Sequence, residues 1–175
     1  MRYRVIFVVY MCLLMSGLAA EQWKVFNNEE LGYSVSYPAN FSAQYQDSQF
    51  SALLSDGSSM SPVTLTFTSD LLNPEDLGKG IDQTLEQFLA DLRTEVETYG
   101  FELLELEQNK KVKFQGMDAT TILLNVDMMM WQMKMTAIVF TRGGRNYMLM
   151  MGAVHEQFDD MLATFEQFKD SLTFK

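Results

Sequence analysis

Two stretches of the chain repeat apolar residues at helical spacing, and each predicts an amphipathic helix. The first runs from Ile81 to Tyr99 and is followed by Gly100, a typical left-handed residue after a helix end. The second lies between Phe158 and Leu172, and the acidic residues at its start suit the helix dipole. The first stripe contains Ile81, Leu85, Phe88, Leu89, Leu92, Val96 and Tyr99, and the second contains Phe158, Met161, Leu162, Phe165, Phe168 and Leu172.

The segments outside the helices show short runs of β-branched, aromatic and alternating residues that predict strands. Turn signals separate these runs, and the order of several strands, a helix, four strands and a helix predicts an α+β domain, an antiparallel β-sheet with helices packed on it. The predicted early strands are residues 23–26, 31–37, 50–54 and 63–68, with a turn at Asp56-Gly57-Ser58, and residues 101–154 are strand-like with turn signals at Asn109-Lys110, near Gly116, around Asp127 and at Gly143-Gly144.

The first twenty residues have the pattern of a signal peptide. Arg2 and Arg4 form a positive start, residues 5–15 form an apolar run, and small residues follow at 16–20. The apolar run is shorter than the ~18–20 residues of a membrane-spanning helix. Bulky residues precede Cys12 where a lipidation motif requires small ones, so no lipid is expected there. We therefore expect cleavage after residue 19 or 20, export to the periplasm or medium, and a single domain over residues 21–175.

The charge of the chain restricts its partners. Thirteen basic and 23 acidic side chains give a formal net charge of −10, and signal cleavage would make the remainder more acidic by removing Arg2 and Arg4. Such a surface repels nucleic acid and anionic membranes and favours cations or basic protein patches. Cys12 is the only cysteine, so the exported domain would lack disulfides, which fits a bacterial periplasm. We expect a partner protein in the cell envelope and no membrane span after signal cleavage.

The outer face of the first predicted helix is strongly acidic. It has the composition of either a docking surface or an ordinary solvated helix face, and the pattern favours the solvated face. The face carries Asp82, Glu86, Asp91, Glu95 and Glu97 against Arg93 alone.

Catalytic motifs are missing from the sequence. His155 is the only histidine, so it is the only imidazole base that a Ser-His-Asp or Cys-His arrangement could use. Its position between a strand and a helix is typical of a helix-start or partly buried residue. The chain contains no nucleophile-elbow, P-loop, dinucleotide, zinc-protease or calcium-loop motif. Gly143-Gly144 is typical of a two-residue hairpin turn. We expect no enzyme activity and no cofactor.

Five methionines lie within residues 128–135, around Trp131. A turn at Gly143-Gly144 fixes the register of the two flanking strands, so that one face of the hairpin is rich in thioethers. This register pairs Val139 with Met148, Ala137 with Met150, Met135 with Gly152 and Met133 with Val154. It places Trp131, Met133, Met135, Met148 and Met150 on one face, and Phe140, Ile138, Leu149, Met151 and His155 on the other with Gln132, Lys134 and Thr136.

Three interpretations of this face are open. Methionine fills irregular space in cores, and packing beneath a helix is the favoured interpretation. A groove for an apolar ligand or partner is the second. The third is a copper(I) site, because several thioethers that converge on one point suit a soft metal. Its ligands would be Met133, Met135, Met148 and Met150.

Three segments together resemble the PsbP-like proteins, which include the photosystem II extrinsic protein and bacterial DcrB-type relatives. They are FNNEELGYSVSYPANF at 26–41, GGRNYMLMM at 143–151 and LATFEQFKDSLTF at 162–174. The resemblance implies an α/β/α sandwich used for binding and assembly, and it supplies no functional residue. Without chloroplast transit features, the chain looks like a bacterial relative.

Together these features predict an exported periplasmic PsbP-like protein that acts as a non-catalytic binding or assembly module. The alternative is a carrier of a small apolar ligand or copper(I) on the methionine-rich sheet face.

Overall fold

A computed structural model describes residues 22–46, 48–54, 63–69, 81–98, 102–127 and 132–175. The signal segment, Trp131, the Asp56-Gly57-Ser58 turn and Gly100 lie outside these residues. The described strands are β1 (Trp23–Asn28), β2 (Tyr33–Pro38), β3 (Ser42–Gln46), β4 (Gln49–Leu54), β5 (Val63–Ser69), β6 (Glu102–Phe114), β7 (Met117–Asp127), β8 (Gln132–Arg142), β9 (Arg145–Val154) and β10 (Thr173–Phe174), and the helices are α1 (Ile81–Thr98) and α2 (His155–Asp170).

Over the described residues, the strands form two antiparallel sheets. The large sheet has the order β3-β4-β5-β9-β8-β7-β6, and the small sheet has the order β1-β2-β10. Two-residue turns join β8 to β9 through Gly143-Gly144 and β6 to β7 through Gln115-Gly116, and all four residues have positive φ. Such turns match the twist of the strands on either side, so the glycines set the register of both hairpins.

The observed elements confirm the predicted α+β architecture and correct two of its details. The prediction of a turn at Asn109-Lys110 is wrong. Both residues lie within β6, where they pair with Ile122 and Thr121 of β7. A continuous partner strand outweighs the local turn preference of an Asn-Lys pair. Strand β3 was missed, because its sequence, SAQYQ, lacks β-branched residues and contains one aromatic.

Each face of the large sheet is filled by its own apolar core. Helix α2 packs on β8 and β9 and contacts β2 of the small sheet, whereas α1 packs on β6, β7 and β8. Residues that neighbour each other along a strand therefore enter different cores: Phe140 lies in the core beneath α2, and Val139 in the core beneath α1.

The α2 stripe is narrower than predicted. Phe158, Phe165 and Phe168 are buried, and Leu172 is buried just after the helix, but Leu162 is 38% exposed. At about 100° per residue, Leu162 lies roughly 80° from the centre of the buried stripe, so it sits at the margin of the contact with the sheet.

The small sheet closes the core beneath α2 with aromatic side chains. Phe26 of β1 stacks on Phe50 of β4, with ring centroids 4.7 Å apart. The chain end then docks on β2, where Thr173 pairs with Ser34 and the Lys175 amide donates to the Gly32 carbonyl at 2.8 Å. The last two residues of the PsbP-like segment 162–174 thus belong to the small sheet.

Candidate functional site

The methionine-rich face lies where the hairpin register places it. The β8–β9 ladder pairs Met133 with Val154, Met135 with Gly152, Ala137 with Met150 and Val139 with Met148. Every one of these pairings agrees with the register derived from the Gly143-Gly144 turn. The four methionines of this face, Met133, Met135, Met148 and Met150, pack in the core beneath α1.

Helix α1 supplies the opposite wall of this core. Its Leu85 is buried, and the next apolar positions on the stripe are half-buried and pack against the methionines. The stripe supplies the leucines and phenylalanine of this contact, and the polar residues of α1 whose side chains are described are exposed. The half-buried wall residues are Phe88, Leu89 and Leu92.

Burial differs among the four methionines. Met148 is 4% exposed, whereas Met133, Met135 and Met150 are half-buried. Two of them lie beside Gly152: a β-carbon there would be in van der Waals contact with Met133 Cε at 3.6 Å and Met135 Cγ at 3.8 Å. Methionine's three flexible bonds suit it to this irregular space between a glycine and a helix. The four methionines therefore belong to a packed core, and three of them lie at its partly exposed margin.

His155 is not brought to the methionines. It is the first residue of α2, and its side chain is exposed. The prediction of a helix-start position is confirmed. Because α2 packs on the other face of the large sheet, the imidazole and the thioether cluster belong to different layers.

A second, open groove lies between the start of α1 and the β6–β7 hairpin, and sequence reasoning missed it. Its volume is about 470 Å³, and Thr120 on its floor is buried. Lys111 Nζ lies 2.8 Å from Asp82 Oδ2, and Lys113 Nζ lies 2.7 Å from Asp118 Oδ1. The only signal in the sequence was the alternation of lysines in KKVK opposite Asp118.

The two ion pairs affect the pKa of Lys111 and of Asp118 but add little stability. A hydrogen bond to Asp82 raises the pKa of Lys111, and a hydrogen bond to Lys113 lowers the pKa of Asp118. All four side chains are mostly exposed, and exposed pairs are weak because water screens them. Among the described residues, the groove therefore presents charged side chains of both signs to solvent.

A third surface is uncharged and mostly polar. It covers the β3–β5 end of the large sheet on the same face as the methionines, because alternate residues of β4 and β5 point there. The Thr-x-Thr-x-Thr alternation in β5 was its signal in the sequence. Its polar members are Gln44, Gln49, Ser51, Thr64 and Thr68, and Leu53 is an exposed apolar member, whereas Thr66 on the same face is buried.

The described part of the chain also bears on metal binding and on membrane spanning. Within those residues, no three His, Cys, Asp or Glu side chains are grouped closely enough to hold a metal ion. Neither α1 nor α2 is long and apolar enough to cross a membrane.

Comparison with known proteins identifies the fold. A scan of protein-family models finds no match, and no curated protein sequence matches the chain. Among solved structures, cyanobacterial PsbP (CyanoP) from Synechocystis superposes with a TM-score of 0.62 at 13% identity, covering 91% of this chain and 96% of that protein. The chain therefore has a PsbP-like fold, which confirms the resemblance seen in its three sequence segments.

Two further solved structures share this architecture. LpqN of Mycobacterium tuberculosis, a protein involved in cell envelope biogenesis, matches with a TM-score of 0.51 at 10% identity over 88% of this chain and 91% of LpqN. A Pseudomonas aeruginosa protein of unknown function, PA94, matches with a TM-score of 0.52 at 11% identity over 88% of this chain and 98% of PA94. These similarities define the fold.

Proposed function

We propose that this chain is an exported protein that acts as a non-catalytic binding or assembly module, with another protein of the cell envelope as its partner. The observation that carries the proposal is that an apolar core packs on each face of the large sheet. Val139 and Phe140 point to opposite faces, and each is fully buried at 0% exposure. Since close-packed side chains occupy the interior on both sides, the outer surface is the part available to a partner.

Two other features support the proposal. LpqN, which has the same fold, is involved in cell envelope biogenesis. The N-terminal pattern of Arg2, Arg4 and the apolar run is that of a signal peptide, which would deliver the domain to the envelope. The formal charge of −10 favours a partner with a basic surface.

A carrier of a small apolar ligand or copper(I) is the second candidate. The observation in its favour is that Met133, Met135 and Met150 are half-buried, so three thioethers reach the margin of the core beneath α1. The two candidates differ in where they place the function: on the outer surface, or among the methionines.

Fractionation of an expressing Gram-negative bacterium tests the location. We expect a tagged full-length chain to appear in the periplasmic fraction with a mature N-terminus near Ala20 or Glu21, as read by intact-mass spectrometry. A mature protein that retains Arg2 and Arg4, or that carries a lipid on Cys12, would contradict the export part of the proposal.

Site-specific photo-crosslinking in the same cells tests the mode of action. We would place the crosslinker singly on three exposed positions of different elements: Glu86 of α1, Asp159 of α2 and Lys113 of β6. A surface partner should give a discrete heavier adduct from one position and not from the others. The adduct should persist when Met133→Leu/Met150→Leu is added, because those side chains lie in the core. Loss of the adduct in that variant, or no adduct from any position, would contradict the proposal.

A further inference from the structure

The two outer strands of the large sheet are built differently. Strand β6 carries Lys110, Lys111 and Lys113, and its pairing with β7 shifts register between Leu103 and Glu105 and again between Leu106 and Gln108. Charged side chains and irregular pairing are the usual means by which a sheet edge is kept from pairing with another chain. The β6 edge is therefore protected.

The β3 edge has none of these protections. All five of its residues, Ser42–Gln46, are exposed, and none is charged, proline or glycine. Among the described strands β3 pairs with β4 alone, in an uninterrupted register. Exposed, regular and uncharged edges are the ones that accept an additional strand.

The register shows which backbone groups point away from the protein. Two residues separate Gln46 from Gln49, and in a two-residue hairpin the pair that flanks the turn is hydrogen-bonded. Hydrogen-bonded and non-hydrogen-bonded pairs alternate along the ladder, so Ala43 and Tyr45 occupy non-hydrogen-bonded positions opposite Ala52 and Phe50. The N–H and C=O groups of Ala43 and Tyr45 therefore point away from β4.

We propose that this edge pairs with β3 of a second copy of the chain, antiparallel, about a twofold axis at Gln44. Such an axis places Ala43 of one copy opposite Tyr45 of the other, and the outward groups of these two residues then form N–H···O bonds in both directions. The same exchange occurs on the other side of the axis. Each copy thus presents a self-complementary surface, which a closed twofold dimer requires.

Side chains agree with this register on both faces. Tyr45, whose ring is 40% exposed and lies 5.4 Å from the Phe26 ring, would be opposite the small side chain of Ala43. On the other face, Gln44 would meet Gln44 of the second copy, and two amides bond to each other readily. The charge distribution favours the same contact, because the chain as a whole repels its copies at −10 but β3 carries no charge.

This self-association is distinct from the proposed binding of an envelope partner. The contact between the two copies is small. Two five-residue edges bury much less than the ~1,600 Å² of a standard interface, so we expect a weak dimer with a dissociation constant in the micromolar range or above. Self-association of purified protein can fail without bearing on binding to an envelope partner, so the two proposals are tested separately.

Analytical ultracentrifugation of the purified chain over increasing concentration is the first test. Wild type should convert from monomer to dimer, and hydrogen exchange should become slower with concentration at the Ala43 and Tyr45 amides. The amides of Ser42 and Gln44 already bond to β4, so their exchange should not depend on concentration. A monomer at all concentrations, including one that binds an added extended peptide instead, would overturn the proposal.

Charge substitution at the twofold axis tests the register. Gln44→Lys should be monomeric because two lysines would face each other, and Gln44→Glu should be monomeric for the same reason. A one-to-one mixture of these variants should form a heterodimer, since opposite charges then meet. Gln49→Lys is the matched control, on the same face one strand inward, and should dimerise like wild type. A dimer that persists in Gln44→Lys, or a mixture that stays monomeric, would overturn this arrangement.

Discussion

Met135 lies directly opposite Gly152 in the β8–β9 ladder, and Met135 Cγ is 3.8 Å from the point where a β-carbon on the glycine would stand. Met133 also approaches this point, with its Cε at 3.6 Å, so two methionine side chains lie beside β9 at Gly152. The nearest atom to this point is Thr64 Oγ1 of β5, at 3.1 Å. Side chains of β5 and β8 thus meet over this glycine of β9.

Enlarging this glycine should disturb the methionine packing. Gly152→Val places branched methyl groups against Thr64, Met133 and Met135, and overpacking of this kind costs about 1–3 kcal/mol of unfolding free energy. Urea denaturation measures the loss. Combining Gly152→Val with Met135→Ala should cost less than the sum of the two single changes, because the shorter side chain vacates space. Strictly additive costs would mean that the two positions do not share that space.

Leucine substitution separates packing from copper binding. Met133→Leu/Met150→Leu conserves volume and apolarity, so we expect the fold to survive with a cost below about 1.5 kcal/mol per site. Leucine has no sulfur and cannot ligate copper(I). In a titration against a competing copper(I) chelator, we expect wild type and the folded variant to behave alike. Tight, stoichiometric binding by wild type that disappears in the variant would instead support the carrier candidate.

Charges placed on α2 should distinguish its buried and exposed positions. Phe165 is 4% exposed, so Phe165→Asp would bury an unpaired carboxylate and should unfold the domain or lower its melting temperature severely. Leu162→Asp is the matched control on the same helix, at 38% exposure, and should change stability by only a few tenths of a kcal/mol. Similar melting temperatures for the two variants would contradict the observed position of α2.

Alkaline pH should weaken the fold through Tyr33. Burial of its ring raises the pKa of Tyr33 from 10.0 to about 12, and the side chain of Asn28 opposes this rise only in part. Between these pH values the unfolded chain has lost a proton that the folded chain still holds, so stability falls as pH rises from 10 to 12. The loss from this group is at most about 3 kcal/mol.

Denaturation of Tyr33→Phe at several alkaline pH values measures this contribution. The variant should lose less stability than wild type over the window, because phenylalanine has no proton to release. Parallel pH curves for wild type and Tyr33→Phe would show that Tyr33 is not the group responsible.

The sequence by itself determined the features that depend on local pattern. The spacing of apolar residues located α1 and α2, because a helix must bury one stripe. The Gly143-Gly144 turn determined the β8–β9 register and hence which methionines share a face, because a two-residue turn permits one alignment and side chains alternate from there. PsbP-like segments in the sequence indicated the layered fold that the solved structures confirm.

Tertiary structure decided what depends on contacts between distant segments. The pairing of β7 with β6 kept Asn109 and Lys110 in a strand against their local preference, and the pairing of β4 with β3 made a strand of SAQYQ. By its spacing, Leu162 belongs to the predicted apolar stripe of α2. It is nevertheless exposed, because it lies at the margin of the contact between α2 and the sheet. Among the described strands, β3 lies at an edge because of the order of strands in the large sheet, and no local pattern specifies that order.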